Sequence, residues 1–344
     1  MSKTKLLTIG FLMMGALLFA GISEPINQSK FIPDTSNEYK PQALASSFTD
    51  GKAIISNVTG TAKILRSGSD EWVPVGENDT LQEGDQIRTD NNASVDVVYD
   101  DSSLNVTHID QNTIAKFTSL EPTRIYLSDG SVFSSLEALP KGQEYEVATD
   151  TSVNAIRGTK FLRTYEAKKK TDSTVVADGS VQSFSVMPDG SKSEESVFVS
   201  KDNTLTLTPE LLHKTPFSKL QPVLSSVEHQ KEIDGLEKGV QKHLEDSSGG
   251  PDALKAHREH VLVTMKQPEF REAFQEKQKE MAEKRRQALM EKGGPNAALQ
   301  SGPNVSGPEQ PQGTPHQRLA PGPGPATGGA RPPRPAPKTP GDRR

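Results

Sequence analysis

Three groups of residues in this chain have types and spacings that could do chemistry. His257 and His260 stand three apart in a His-Arg-Glu-His run, and on a helix that spacing can turn two imidazoles toward one metal ion. The run lacks the glutamate placement of H-E-x-x-H and offers no identifiable third ligand, so a solvated helix face accounts for it. Asp100 and Asp101, with Asp96 nearby, gather carboxylates as a hard cation would need. The twelve-residue loop with spaced carboxylates and a closing glutamate is absent, and a solvated hairpin turn explains them. Arg157, beside a glycine, could clamp a carboxylate through two parallel hydrogen bonds, or tie its turn to a neighbouring loop, the more common use.

Catalytic constellations do not assemble around these residues. There is no serine in a G-x-S-x-G elbow, no G-x-x-x-x-G-K-[ST] loop and no carboxylate pair around an identifiable cleft. The chain has no cysteine, which excludes disulfides, thiolate metal sites, a thiol nucleophile and a lipid-modified cysteine. The reading is a binding protein and not an enzyme, with no catalytic residues, no cofactor and no metal.

The elements that must position Arg157 are short strands. From 48 to 208 the sequence consists of β-branched runs broken by Gly, Asp, Asn and Ser, among them Ala53-Ile-Ile-Ser-Asn-Val58, Ser94-Val-Asp-Val-Val-Tyr99 and Ser180-Val-Gln-Ser-Phe-Ser-Val186. Several alternate apolar with polar, so one face of each strand is buried and the other wet. The fold class is mainly β, a sandwich or a solenoid-like stack of short strands, followed by an α-helical segment and a disordered Pro/Gly-rich tail.

Four glycine-centred turns punctuate the strands: Glu83-Gly-Asp-Gln-Ile-Arg-Thr89, Leu127-Ser-Asp-Gly-Ser-Val-Phe133, Ile156-Arg-Gly-Thr-Lys-Phe161 and Val176-Ala-Asp-Gly-Ser-Val181. Glycine adopts positive φ without Cβ strain, and a preceding aspartate can bond its own backbone to preform the turn. In this order the turns resemble the FecR domain family, which shows a G-D-x-I-x-T turn, an L-x-x-G-x-V turn, the R-G-T-x-F signature and a closing V-x-x-G-x-V turn. The matching residues are Gly84, Asp85, Asp129, Gly130, Arg157, Gly158, Thr159, Phe161, Asp178 and Gly179. The resemblance spans roughly 53 to 186, with Val147-Ala-Thr149 ahead of the signature. It implies an extracytoplasmic β domain used for protein interaction or sensing, without enzymatic activity. Members acting as transmembrane anti-sigma regulators carry a cytoplasmic domain before their membrane segment, whereas here only Met1 to Lys5 precede an apolar run. Direct sigma-factor binding is therefore not expected.

That apolar run, from Leu6 to Ile22 after Lys3 and Lys5, makes residues 1–23 a signal peptide or an N-terminal anchor. Either way the rest of the chain is extracytoplasmic, in the periplasm or cell envelope, and touches the membrane only if that segment is uncleaved. Residues 24–47, polar and proline-punctuated, read as a flexible linker. Residues 209–292 read as charged amphipathic helices: Pro209 opens the first, and Leu220, Val223, Leu224 and Val227, then Ile233, Leu236, Val240 and Leu244, recur at three and four residues. Their apolar stripes are narrow, so they lie along the β domain or pair with a partner. Residues 293–344 read as a disordered basic tail whose proline-spaced arginines would make weak contact with anionic envelope polymers. A net charge of -5 provides no overall field for nucleic acid. The partner is an envelope protein or a glycan; the alternative is an extracytoplasmic sensor acting through a separate membrane regulator.

Overall fold

A computed structural model describes residues 41–99, 103–187 and 190–291. The N-terminal apolar run, most of the linker, Asp100, Asp101 and the basic tail lie outside the described residues. Among the described residues no helix is long and apolar enough to cross a membrane.

Among the described residues sixteen strands hydrogen-bond into one continuous sheet that folds over on itself into two layers. In chain order they are β1 (Ile54–Thr59), β2 (Ala62–Leu65), β3 (Trp72–Pro74), β4 (Gln86–Thr89), β5 (Ser94–Val98), β6 (Asn105–Ile109), β7 (Ile114–Leu120), β8 (Thr123–Leu136), β9 (Tyr145–Ala148), β10 (Ser152–Ile156), β11 (Lys160–Glu166), β12 (Thr171–Asp178), β13 (Ser180–Val186), β14 (Lys192–Ser200), β15 (Asn203–Leu207) and β16 (Val223–Leu224). One layer runs β1-β5-β6-β8-β11-β12-β15-β16. The other runs β3-β2-β4-β7-β8-β9-β10-β13-β14. Every pairing is antiparallel except β8 with β9. The main core lies between the layers and takes Ile55, Val97, Val132 and Phe161 from one and Ile64, Phe117, Val147 and Val199 from the other. This is the mainly β architecture that the strand pattern predicts, with the layers joined and not closed into a barrel.

β8 belongs to both layers. Its first half pairs with β7 and β9, and its second half with β6 and β11. Gly130, at φ +97, marks the changeover, and a Cβ there would lie 2.3 Å from Thr113 Oγ1 and 2.6 Å from Thr113 Cα. The Leu127-to-Phe133 motif, read from sequence as a tight turn, is thus a kink within a long strand, which a glycine permits both by its φ and by letting a neighbouring backbone approach.

Helices complete the fold: α1 (Pro41–Thr49), α2 (Pro209–Lys214), α3 (Val227–Ser248), α4 (Pro251–Met265) and α5 (Pro268–Glu291). Pro209 begins α2 as expected, with Thr208 accepting from Leu211 N at 3.2 Å. α3 and α4 cover the outer face of the first layer, burying Ile233, Val240, Leu244 and Leu254 against Val98, Val106, Phe133, Leu162 and Val175. The helices therefore lie along the β domain. Two expectations are corrected. Residues 41–47, read as the end of a flexible linker, form most of α1, because Leu44, Ala45 and Phe48 find an apolar seat against Val261, Phe270 and Phe274. Val223 and Leu224, read as part of a helical stripe, form the edge strand β16 on β15, since Pro216 and Pro222 interrupt the helical period.

Candidate functional site

The second layer's outer face carries the candidate site. Across β14, β13, β10, β9 and β8 one row of side chains runs Phe198, Gln182, Ala155, Glu146, Arg124, each directly paired with the next. Ala155 is the smallest of the five, so the row dips at its centre. The dip opens into a groove of about 480 Å³, bounded also by Arg157, Glu144, Phe184 and Lys192. Phe198 is 61% exposed although Val197 and Val199 beside it are buried, as alternation on a strand requires.

Ion pairs organise the groove. Glu146 receives Arg124 Nε on one oxygen at 3.0 Å and Lys192 Nζ on the other at 2.8 Å. Lys192 also lies 4.7 Å over the Phe184 ring. Arg157 stands 4.0 Å from Glu144, and its side chain is 81% exposed. Its tie to the neighbouring loop, the role expected from sequence, is thus a loose and exposed ion pair with Glu144. It follows Ile156, the end of β10, where the chain crosses to the other layer, and is exposed there at the rim of the groove.

The firm tie is made by Arg163, which sequence reasoning missed. Its side chain on β11 is completely buried. The guanidinium donates to Asp172 at 3.2 and 2.7 Å, to Ser152 O at 2.8 Å, to Ser152 Oγ at 2.7 Å, to Thr149 Oγ1 at 3.2 Å and to the Val147 carbonyl. Asp172 also accepts from Thr149 Oγ1 at 2.7 Å and Ser152 Oγ at 2.9 Å. This network fixes the β9–β10 hairpin, whose opposite face supplies Glu146, Ala155 and Arg157 to the groove. The Val147-Ala-Thr149 run is thereby explained as part of the arginine's cage.

The remaining signature residues are framework. Gly84, at φ +93, precedes Asp85, a fully buried carboxylate that accepts from Ser67 N at 2.8 Å, Gln82 N at 3.0 Å and Arg66 at 2.9 Å. Asp129 accepts from Ala167 N at 2.9 Å, in a different hairpin from its own. Gly158 and Gly179, at φ +68 and +80, lie at two further crossings between layers, β10 to β11 and β12 to β13. Thr159 bonds Ser180 O at 2.9 Å across these crossings. Phe161 is buried in the main core, and Asp178 is exposed beside Lys201 at 3.5 Å. The aspartates that precede glycines thus bond other segments, not their own turns.

Asp96 is no solvated turn residue either. It is buried on β5, with His108 Nδ1 at 2.6 Å on one oxygen and, on the other, His243 Nδ1 of α3 at 2.9 Å and Asn57 Nδ2 at 3.1 Å. Burial works to raise its pKa, but the hydrogen bonds and charge of His108 and His243 outweigh it and bring the value to about 2. The hydrogen bond to Asp96 raises the His243 pKa despite partial burial. His257 is buried and His260 exposed on α4, so the pair does not share one environment. Among the described residues no group of three His, Cys, Asp or Glu side chains could hold a metal ion. A second recess of about 500 Å³ lies between the β7–β8 corner and α5, includes Arg124 and shares Glu144 with the groove. Glu121, at its margin, is pushed up to about 7 by burial, against the opposing effects of Gln143 and Arg285.

Residues 85–182 match the model of the family described as FecR protein. The matching segment runs from the first glycine turn to the groove residue Gln182 and takes in strands of both β layers. No curated protein matches the chain. Two solved structures, each of a candidate anti-sigma factor from Parabacteroides distasonis, are similar over part of their length. The first has 13% identity, covers 44% of this chain and 64% of its own, and has a TM-score of 0.32. The second has 15% identity, covers 38% of this chain and 55% of its own, and has a TM-score of 0.28. The chain thus spans less than two thirds of either of them.

Proposed function

We propose that this is a non-catalytic exported envelope protein whose FecR domain binds a protein or glycan partner on the open face of β9, β10, β13 and β14. The observation that carries this reading is the asymmetry of the layers. Helices bury the outer face of one, while the other leaves Phe198 61% exposed in a concave, charged groove. An aromatic set in a concave site among a few convergent polar groups has the anatomy of a binding site. The non-catalytic reading is supported by Glu146, whose two oxygens are both engaged by cations, an arrangement unsuited to proton transfer. Export is supported by the apolar run after Lys3 and Lys5, which puts the domain in the periplasm or envelope. The tail's arginines would add weak contact with anionic envelope polymers.

A second reading, a sensor that passes a signal to a separate membrane regulator, is favoured by the family match over residues 85–182 and uses the same face. Both readings are tested by placing a photo-crosslinking amino acid at position 198, and separately at Val263, 58% exposed on α4, in living cells. The expected result is an adduct from position 198 that disappears when Arg157→Glu is added, with none from position 263. Equal labelling from both positions, or none from 198, would show that the open face is not the binding surface.

A further inference from the structure

The groove's chemistry is narrower than a general binding role, and it rests on that same reading of the open face. We infer that the groove takes an acidic oligosaccharide, a chain of sugars bearing carboxylates. Phe198 supplies a flat apolar plate, exposed and unstacked by any aromatic partner among the described residues. A sugar ring matches such a plate with its C–H face while its hydroxyls and carboxylate point outward to polar groups. Those groups stand around the plate: the Gln182 amide in the same row, and the cations Arg157 and Lys192 at the rim.

The charges favour an anion. Arg157 and Lys192 face Glu144 and Glu146 across the groove, and Arg124, just outside it, adds a third cation on Glu146. Glu146 is already held by two of the cations. Arg157 is 4.0 Å from Glu144, beyond hydrogen-bond distance, and mostly exposed. Its planar fork is thus placed to receive a ligand carboxylate through two parallel bonds.

An extended peptide fits less well. Recognition of a peptide backbone uses free strand edges; β9, β10 and β13, the floor of the groove, are each paired on both sides, so a peptide could add only along β14, the edge strand at the end of the row. The floor presents side chains alone. An apolar small molecule would find too little enclosure, because the groove is open and charged side chains border it.

The test uses the purified full chain and three probes: an oligogalacturonate, its methyl-esterified neutral form and an acidic hexaglutamate peptide, titrated calorimetrically at low and moderate salt. Oligogalacturonate should bind, weaken as salt rises, and lose about tenfold or more on esterification. Phe198→Ala and Arg157→Gln should each weaken it about tenfold as well, with an unchanged melting temperature showing that both variants are folded. No binding of oligogalacturonate, equal binding of the neutral form, equal binding of hexaglutamate, or indifference to Phe198→Ala would each overturn the inference. If oligogalacturonate fails to bind while position 198 still crosslinks in cells, the open face remains the binding surface and only the ligand class is wrong. If both fail, the reading of the face fails too.

Discussion

Replacing Arg163 with methionine probes the support beneath the groove. The change keeps most of the side-chain volume but removes every guanidinium donor, leaving Asp172 buried with two hydroxyl partners, taking the guanidinium from the Val147 carbonyl and leaving Ser152 O with only its Thr149 donors. Breaking a buried pair by removing one partner costs about 3 to 5 kcal/mol, because the surviving charge is left uncompensated. For a folded region of this size each kcal/mol lowers the melting temperature by about 2 to 4 °C, so a drop of about 6 to 20 °C is expected. Circular dichroism melts and urea titrations of the full chain measure it. Arg163→Lys should also lose stability, since one ammonium cannot span Asp172 and two carbonyls from its single point. The double variant Arg163→Met/Asp172→Leu should recover part of the loss, giving a coupling energy of about 1 kcal/mol or more. A loss below about 1 kcal/mol for Arg163→Met would refute the argument that this arginine fixes the hairpin.

The crossing glycines should rank by what a Cβ would meet. Gly158→Ala faces only its φ of +68, its nearest contact being Leu136 O at 3.8 Å, whereas Gly130→Ala adds contacts of 2.3 and 2.6 Å with Thr113. Losses of about 1 kcal/mol and about 3 kcal/mol or more are expected, and denaturant midpoints in the opposite order would contradict the packing account. The Asp96–His243 contact predicts a pH window. His243, raised above its ordinary 6.5, contributes stability that is fully present below 6.5 and lost as pH rises through its folded value. Asp96, at about 2 against an ordinary 3.8, contributes stability present above 3.8 and lost as pH falls toward 2. His243→Ala should therefore flatten the alkaline decline in melting temperature, and an identical pH profile for the variant would exclude the pair as its source.

The strands, the absence of thiols and the glycine signature were legible because they are local: alternation, β-branching and a motif of five adjacent residues all sit within one stretch of chain. What was hidden is what folding brings together. Arg157 and Arg163 lie six residues apart, and nothing in the sequence says which is buried, because the answer depends on Asp172 and Thr149 arriving from other strands. Gly130 looked like a turn because Asp-Gly usually is one, whereas its role is set by Thr113 on a neighbouring segment. Phe198 carried no signal, since an aromatic alternating with valines reads as core until one knows that its face has no cover. α1 was missed because its three buried apolar residues have meaning only against α4 and α5.

β8 places the groove and the helical layer on one length of backbone. Arg124, near its start, holds Glu146 in the groove, and Phe133, near its end, packs beneath the helices. Gly130 between them is pinned against Thr113, so the bend is stiff. A load applied to the open face therefore has a covalent path to the opposite side of the molecule, about ten residues or ~30 Å of strand. The two layers are mechanically in series, and neither could be cut out as a self-sufficient half.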